Sequence, residues 1–460
     1  MRTSPLLALL FAGCTLSSEV TVTPLVLLPG QVEKGNGLPS LVEKGHYLRA
    51  IERKGEIDRK TRASASDLLA LGTAEMAAGR VDDARRHLRL AFEQDPFRTT
   101  AAQIAWTLSQ LELLVNNFAA SFDWAQVARG HGLIIRQWHM DYLSALSAIP
   151  TYRAAGAAQD RLPLSASRPD LPRVTVRLNG QQSLQAVIDS GAVLSIMSNR
   201  LAAELPVRSL GAFRGTFFGL LGEPIEVGFG IIDRLELGEV VVEAIPVAIM
   251  PDDKMNFMVR GKRQFKIDLL LGASFLKEFR IDLDFPAGSA TFTRLTSRDR
   301  RPVETQNLFF DDLRPAVRSA VNGRGWYLFI LDTGSEVTFL NESHLAALPI
   351  QQVAPRSHNA TLQGLGGSKK RGGRIDDVVI GLDRWAGIFR TLPMYGSPEP
   401  QRTAGIIGEN FLKNFRVVID FGRMRVDLIR PRRIVPRDPS ASAPSSSPPF
   451  PPDGAGPILR

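Results

Sequence analysis

Two Asp residues, each set between an apolar run and a glycine, are the strongest candidates for chemistry in this 460-residue chain. Asp189 stands in the segment AVIDSGA and Asp332 in the segment FILDTGS. Each pattern predicts a buried strand that delivers a carboxylate into a tight turn. Such a carboxylate can exchange protons with a substrate, but an isolated one more often bonds its own backbone. The interpretation therefore depends on whether the surroundings of the two Asp residues are repeated as well.

The surroundings are repeated in the same order. The segment GASFLKEFRIDLDF, which begins at Gly272, aligns without gaps on GENFLKNFRVVIDF, which begins at Gly408. A glycine-rich tetrad lies between turn and segment in each half, at residues 219–222 and 364–367. The offsets agree: 332 − 189 = 143, 364 − 219 = 145 and 408 − 272 = 136. This long internal repeat predicts two homologous lobes.

The paired motifs resemble those of the aspartic protease superfamily. The short lobes and the Gly-Leu-Gly-Gly tetrad resemble the bacterial retropepsin-like proteases, here with two lobes fused in one chain as in pepsin. The resemblance covers about residues 171–430. It implies a mainly β fold of two acid-protease lobes, retropepsin-like β barrels related by a pseudo-two-fold axis, with one Asp from each lobe at that axis.

The resemblance implies an aspartic endopeptidase whose catalytic residues are Asp189 and Asp332. Two carboxylates held close together share a proton and titrate as a unit. The ionised member can take a proton from water while the protonated member polarises the scissile carbonyl. This chemistry needs a polypeptide substrate, and it needs neither a metal ion nor another cofactor.

The resemblance also assigns supporting roles around the two Asp residues. Hydroxyl residues hydrogen-bond across the lobes, glycines without Cβ let the turns approach each other, and a small residue lies in the strand beneath each turn. Glycine flaps close over an extended peptide. The residues are Ser190, Gly191, Thr333, Gly334 and Ser335 in the turns, Gly272 and Gly408 beneath them, and Gly219, Gly222, Gly364, Gly366 and Gly367 in the flaps. Ala192 stands where the second turn has Ser335, so the two carboxylates are expected to differ in hydrogen bonding.

The N-terminus indicates export. A short apolar run ends in Leu10-Phe11-Ala12-Gly13-Cys14, which resembles a bacterial lipobox, and Cys14 is the only cysteine. Residues 1–14 are therefore predicted to be a lipoprotein-type signal peptide with lipidation at Cys14, which implies a lipid anchor on the periplasmic side of a bacterial envelope. The alternative is a chain without a leader whose start is merely apolar. With one cysteine, no disulfide can form within the chain.

Composition and residue spacing divide the rest of the chain into segments. Residues 15–62 are predicted to be a tether and residues 63–150 a small α-helical domain, because Leu71, Gly79, Ala84 and Pro96 follow tetratricopeptide-repeat spacing. This domain either docks a protein partner or packs as a structural cap. Residues 151–172 are predicted to be a linker, 173–297 and 307–430 the lobes, and 298–306 the linker between them. The Pro- and Ser-rich residues 431–460 are predicted to be disordered.

The net charge of +9 does not by itself indicate nucleic acid, because no basic stripe is interleaved with aromatic residues. We expect the positive charge to attract the chain to anionic lipids or cell-wall polymers. Two alternatives to an endopeptidase stay open. One is a protease-like lipoprotein that binds extended peptides without cutting them, and the other is a scaffold lipoprotein that recruits partners through its helical domain.

Overall fold

The structure is a computed structural model that describes residues 13–14, 20–28, 37–58, 63–94, 99–165, 171–181, 183–218, 223–259, 263–350, 360–363, 369–396 and 402–430. The predicted tail, the two flap tetrads and most of the predicted signal peptide lie outside the described residues. The fold is mainly β, with two barrel-like lobes preceded by a helical N-terminal region, and this confirms the predicted fold class.

Helices dominate the described chain up to about residue 150. The Ser64 side chain caps one of them by accepting a hydrogen bond from the Asp67 N–H at 3.0 Å. The elements are β1 (Gly13–Cys14), β2 (Val20–Pro24), α1 (Leu38–Glu43), α2 (Tyr47–Glu52), α3 (Lys54–Asp58), α4 (Ala65–Ala77), α5 (Val81–Gln94), α6 (Thr99–Leu114), α7 (Phe118–Gly130) and α8 (Gln137–Ser147). We call residues 38–147 the helical domain. No helix among the described residues has the length and apolar character needed to cross a membrane.

Lobe 1 is built around a sheet in which two neighbouring strands run parallel. The elements are β3 (Arg153–Gly156), β4 (Gln159–Pro163), β5 (Arg173–Leu178), β6 (Ser183–Ile188), β7 (Ser195–Ser198), α9 (Asn199–Glu204), β8 (Arg208–Ser209), β9 (Gly215–Phe218), β10 (Pro224–Leu237), β11 (Val240–Met250), a 3₁₀ helix (Asp252–Met255), β12 (Asn256–Val259), β13 (Arg263–Lys266), β14 (Leu269–Leu271), α10 (Ala273–Leu276), β15 (Phe279–Asp284) and β16 (Ser289–Arg294). β6 pairs in parallel with β14, and β5 pairs with β6 as a hairpin.

Lobe 2 repeats this arrangement. Its elements are β17 (Leu308–Asp311), β18 (Arg314–Val321), β19 (Arg324–Leu331), β20 (Phe339–Asn341), a 3₁₀ helix (Glu342–Ala347), β21 (Ala360–Gln363), β22 (Lys369–Gly372), β23 (Arg374–Leu382), β24 (Trp385–Tyr395), β25 (Gly405–Ile407), α11 (Glu409–Leu412), β26 (Arg416–Asp420) and β27 (Arg425–Ile429). β19 pairs in parallel with β25, as β6 does with β14.

One sheet joins the two lobes. Its strand order is β27-β26-β15-β16-β4, and β15 of lobe 1 pairs antiparallel with β26 of lobe 2. The repeated segments GASFLKEFRIDLDF and GENFLKNFRVVIDF supply these two central strands, so each segment contributes one strand to the lobe interface. The main hydrophobic core runs through both lobes.

Two predicted segment boundaries need correction. The segment 15–62, predicted to be a tether, holds α1–α3 and also β2, which pairs with β24 of lobe 2. The segment 151–172, predicted to be a linker, holds β3 and β4, which add to β11 and β16 of lobe 1. α1–α3 are each only five or six residues long, and β2, β3 and β4 gain their hydrogen bonds from strands far along the chain, so local periodicity does not reveal these elements.

Candidate active site

The two Asp turns occupy equivalent places in the two lobes. The Asp189 N–H donates to the Leu271 carbonyl at 3.0 Å, and the Asp332 N–H donates to the Ile407 carbonyl at the same distance. β6 pairs in parallel with β14, and β19 pairs in parallel with β25. In each lobe the Asp N–H adds one more hydrogen bond at the end of this pairing. The apolar runs before the Asp residues therefore form the buried strands that the sequence predicts.

The structure brings the two carboxyl groups together. A Cβ added at Gly191 would overlap the carboxyl carbon of Asp332, and a Cβ at Gly334 would overlap that of Asp189. Each turn glycine thus lies against the carboxylate of the other lobe. Neither glycine has a positive φ, so the requirement for glycine here is space rather than backbone conformation.

The two carboxyl groups have different hydrogen-bond partners. Asp189 Oδ1 accepts from the Gly191 N–H at 2.9 Å and from the Ala192 N–H at 3.1 Å. Asp332 Oδ1 accepts from the Gly334 N–H at 2.9 Å, while the Ser335 hydroxyl bonds the Val337 carbonyl at 2.9 Å instead. The expected asymmetry is present, and Ser335 acts on the turn backbone rather than on the carboxylate.

Burial keeps a proton on this pair. Both Asp side chains are fully buried, and the Oδ2 atom of each has no hydrogen-bond partner among the described residues. Burial raises the pKa of Asp189 to about 7, against the lowering effect of the Ala192 and Gly191 amides and of the Asp332 carboxyl. Burial, and next the charge of Asp189, raise the pKa of Asp332 well above its ordinary value. Two such groups at one place cannot both ionise easily near neutral pH.

A buried cation, Arg314, lies beside the second Asp and was not singled out from the sequence. It is 5% exposed, and its positive charge lowers the pKa of Asp332. β18 pairs with β19 so that Ala316 lies opposite Ile330, and the same register continued by two residues places Arg314 opposite Asp332. In lobe 1, Val174 lies opposite Ala186, which places Leu171 opposite Asp189. Only the second Asp therefore has a cation at this position.

Two hydroxyl groups bind the turns to each other across the lobes. Ser190 Oγ donates to the Leu331 carbonyl at 2.6 Å and accepts from the Thr333 N–H at 3.1 Å. Thr333 Oγ1 donates to the Ile188 carbonyl at 2.7 Å and accepts from the Ser190 N–H at 3.1 Å. The four bonds fix both turns, and with them both carboxylates, in one mutual orientation.

Gly272 and Gly408 lie beneath the turns, where a side chain would collide with backbone. A Cβ at Gly272 would overlap the Leu194 carbonyl, and a Cβ at Gly408 would overlap the Val337 carbonyl. Each glycine also donates its N–H at 3.1 Å to a buried hydroxyl, which is Ser195 Oγ in lobe 1 and Thr338 Oγ1 in lobe 2. Both hydroxyl residues follow their Asp by six positions, a repeated feature that could have identified them in the sequence.

The other predicted residues take no part in the described geometry. The flap glycines Gly219, Gly222, Gly364, Gly366 and Gly367 lie outside the described residues. The backbone of Gly13 and Cys14 pairs with Gln363 and Leu362 of β21, which leads into the second tetrad. Among the described residues, no group of three or more His, Cys, Asp or Glu side chains is placed to hold a metal ion.

Comparison with known proteins supports an assignment for the first lobe. A family model described as "Aspartyl protease" matches residues 174–275, which include Asp189 and Gly272. No curated protein matches the chain. Among solved structures, a retropepsin-like aspartic protease from Rickettsia conorii is 12% identical, with a TM-score of 0.20, over 31% of this chain and 96% of its own.

Proposed function

We propose that this chain is an aspartic endopeptidase whose catalytic dyad is Asp189 and Asp332, because a family model described as "Aspartyl protease" matches residues 174–275 and the internal repeat supplies a second Asp turn. The observation that carries the proposal is the mutual contact of the two turns, in which each glycine leaves room for the carboxylate of the other lobe. A turn that only bonded its own backbone would not need a second carboxylate beside it.

The reaction follows from one proton shared by two carboxyl groups. The ionised carboxylate takes a proton from a water molecule between the two Oδ2 atoms, and the water oxygen attacks the peptide carbonyl carbon. The protonated carboxyl donates its proton to the carbonyl oxygen, which gives a neutral tetrahedral diol. The carboxyl that took the water's proton then passes it to the leaving nitrogen as the C–N bond breaks, while the other carboxylate takes a proton from one hydroxyl of the diol. The products are an amine and a carboxylic acid, and the dyad again carries one proton.

The supporting residues hold this arrangement rigid. Ser190 and Thr333 keep the turns from rotating against each other, and a displacement of the carboxylates by even 1 Å is costly in such a site. Arg314 favours a negative charge on Asp332, while two backbone amides favour one on Asp189. A negative charge is therefore stabilised on Asp189 as well as on Asp332. Each carboxyl can then hold the charge in turn as the proton moves between them during the reaction.

The proposal is tested by cleavage of a denatured mixture of proteins between pH 3 and 8. The wild-type chain is compared with Asp189→Asn and Asp332→Asn, and the fold of each variant is checked by circular dichroism. We expect either substitution to remove cleavage while the fold is retained. Cleavage that survives in both variants would assign the activity to other residues, and tight binding of extended peptides without cleavage would favour the peptide-binding alternative.

The proposed location is the periplasmic side of a bacterial envelope, with envelope proteins as substrates and a lipid on Cys14. This part of the proposal is supported by the lipobox-like residues 10–14. Cys14→Ser should move the chain from the membrane fraction to the soluble fraction after expression in a bacterium, and the lipid mass should disappear from its N-terminal peptide. A chain that fractionates identically with and without the thiol would argue against the anchor.

A further inference from the structure

The dyad is closed off from solvent in this structure. Asp189 and Asp332 are both 0% exposed, and the residues that follow the first turn, Val193 and Leu194, are 3% and 7% exposed. A protease must admit a water molecule and an extended polypeptide to its catalytic carboxylates. Another part of the chain therefore covers the face on which the substrate would lie.

On lobe 1 that cover is the second half of the helical domain. Val187 is in β6, which ends one residue before Asp189, and the alternation of the strand continued by that one residue puts the Val187 side chain and the carboxyl group on the same side. Val187, Val193 and Leu194 belong to one hydrophobic cluster with Leu113 and Phe118 of the helical domain. The same two helical residues line a small cavity together with Val193 and Leu194.

The helical domain also covers the two strands that flank the first tetrad. Trp138 and Tyr142 of α8 pack on Phe229 of β10, with ring centroids 5.9 Å and 4.8 Å apart. Phe218 is the last residue of β9, and the Arg136 guanidinium lies 5.2 Å from the centroid of its ring. β10 is therefore in contact with α8, and β9 with the N-cap residue of α8.

Lobe 2 is covered in the same way by the first half of the helical domain. Ile330 is in β19, which ends one residue before Asp332, and the same continued alternation puts the Ile330 side chain and the Asp332 carboxyl group on the same side. Ile330, Val337 and Ile406 belong to a cluster with residues of α1, α2 and α4–α6, including Leu108 and Leu111 of α6. α6 thus contributes to the clusters on both lobes, through Leu113 on one side and Leu108 and Leu111 on the other.

We infer that the helical domain is a built-in inhibitor that occupies the substrate face and must move away before the dyad can act. This inference rests on the proposed function and adds its regulation. The domain is joined to the lobes at both ends, because β2 pairs with β24 of lobe 2 and β3 pairs with β11 of lobe 1. Opening is therefore a reversible displacement of an attached domain.

Polar contacts also hold the closed arrangement, and one on each lobe can be removed by a small substitution. Asn116, in the turn between α6 and α7, accepts from the buried Lys277 Nζ at 2.7 Å and donates to Glu278 Oε1 at 2.9 Å. Tyr47 of α2 donates to Asp311 Oδ1 at 2.9 Å, and Arg402 bonds the same carboxylate at 3.2 Å. We call these the Asn116 contact and the Tyr47 contact.

Neutral substitutions can weaken both contacts in the full chain. Asn116 has φ +60°, so Asn116→Gly removes the amide at a backbone conformation that glycine accepts. Tyr47→Phe removes one hydroxyl. Asn117→Gly is the matched control, because the Asn117 side chain bonds Glu112 and the N-terminus of α7, which both lie within the helical domain. Tyr327→Phe is the second control, because the exposed Tyr327 hydroxyl bonds the Ala347 carbonyl within lobe 2 at 3.1 Å.

The experiment measures kcat/KM for a fluorogenic peptide and the affinity for a peptide with a hydroxyl-bearing, non-cleavable isostere at its central bond. If only the small fraction of molecules with a displaced helical domain is active, loss of one contact should increase that fraction. The increase is about fivefold for a hydrogen bond that contributes about 1 kcal/mol. Because the two contacts are on different lobes, their effects should be independent. The double variant should therefore show an increase of about 25-fold in kcat/KM and in the affinity for the isostere peptide. The two controls should match the wild-type chain.

The outcomes separate the two proposals. If hydrolysis depends on Asp189 but is equal in the wild-type and double-variant chains, the endopeptidase stands and the inhibitory role is overturned. If none of the chains hydrolyses peptide but the isostere binds about 25-fold more tightly to the double variant, the helical domain covers the site and the endopeptidase fails. Equal isostere affinity in all chains, without hydrolysis, contradicts both.

Discussion

Ser190 and Thr333, 143 positions apart, exchange hydrogen bonds so that each hydroxyl accepts from the backbone N–H of the other residue at 3.1 Å. Each also donates to the carbonyl that precedes the Asp of the opposite lobe. The relationship joins the two halves of the repeat at the point where their carboxylates meet. The hydrogen bonds of these two hydroxyl groups therefore both join the lobes and hold the two carboxylates in position.

Removal of the Thr333 hydroxyl should lower both the stability of the fold and the rate of peptide hydrolysis. Thr333→Val keeps the volume but leaves the Ile188 carbonyl and the Ser190 N–H without a partner in a buried place. The loss in the free energy of unfolding should be about 1–3 kcal/mol, measured by urea denaturation. Thr333→Ser restores the hydroxyl and should recover most of the stability and the peptide hydrolysis. Equal stability of the Val variant and the wild-type chain would show that the cross-lobe bonds contribute nothing.

An alanine beneath either turn should be costly. Gly272→Ala places a methyl group against the Leu194 carbonyl, which is backbone and cannot turn away. Overpacking of this kind costs about 1–3 kcal/mol in the free energy of unfolding. Gly130→Ala is the control, because a Cβ at Gly130 meets no atom within 4 Å. A thermal melt in which the two variants unfold at the same temperature would argue against the close approach.

The stability of the fold should fall as the pH rises from about 4 to about 7. The pKa of Asp189 is about 7 in the folded chain because the carboxyl is buried, whereas an unfolded Asp has a pKa near 4. Between these values the folded state binds more protons than the unfolded state, so raising the pH favours unfolding. Asp189→Asn should flatten this part of the curve of unfolding free energy against pH. A wild-type curve that rises across the same window would contradict the assignment.

The protons on the pair also set the pH range of hydrolysis. The reaction needs one proton on the pair, so kcat/KM should rise as the pH approaches about 7, where the Asp189 carboxyl ionises, and should decline at higher pH, where Asp332 loses the remaining proton. The profile is measured from pH 3 to 9 with one peptide, and a rate that falls steadily as the pH approaches 7 would contradict the assignment of the first ionisation to Asp189. The rise in rate and the loss of stability should cover the same pH range, since both report the ionisation of Asp189.

The sequence predicts the parts of this site that are local and repeated. The runs before Asp189 and Asp332, the turn glycines, and Gly272 and Gly408 were identified because each motif recurs in the same order. Ser195 and Thr338 were missed, although they also recur, because a single hydroxyl six residues after an Asp has no distinctive local pattern. Arg314 was missed for a different reason: it has no counterpart in lobe 1, where Leu171 takes its place.

The cover over the dyad could not be predicted from the sequence. Val193 and Leu194 are apolar, but apolar residues beside the turn fit an open peptide cleft and a packed interface equally well. β3 and β4 contact strands of lobe 1 that come much later in the chain, and their mixed composition predicts a linker. Only the tertiary arrangement places helical residues in the hydrophobic clusters that contain Val187 and Ile330, the residues two positions before the carboxylates.

The most direct test of the central claim is hydrolysis of one defined peptide in ¹⁸O-labelled water by the wild-type chain, Asp332→Asn and Asp284→Asn, each also combined with Tyr47→Phe and Asn116→Gly. Asp284 is the matched control, because it bonds the Ala287 N–H in a turn of lobe 1. We expect one ¹⁸O atom in the newly formed carboxyl group, a loss of about 10²–10⁴-fold in kcat/KM for Asp332→Asn, and no loss for Asp284→Asn. A rate for Asp332→Asn equal to that of the wild-type chain in both backgrounds would contradict a two-carboxylate mechanism.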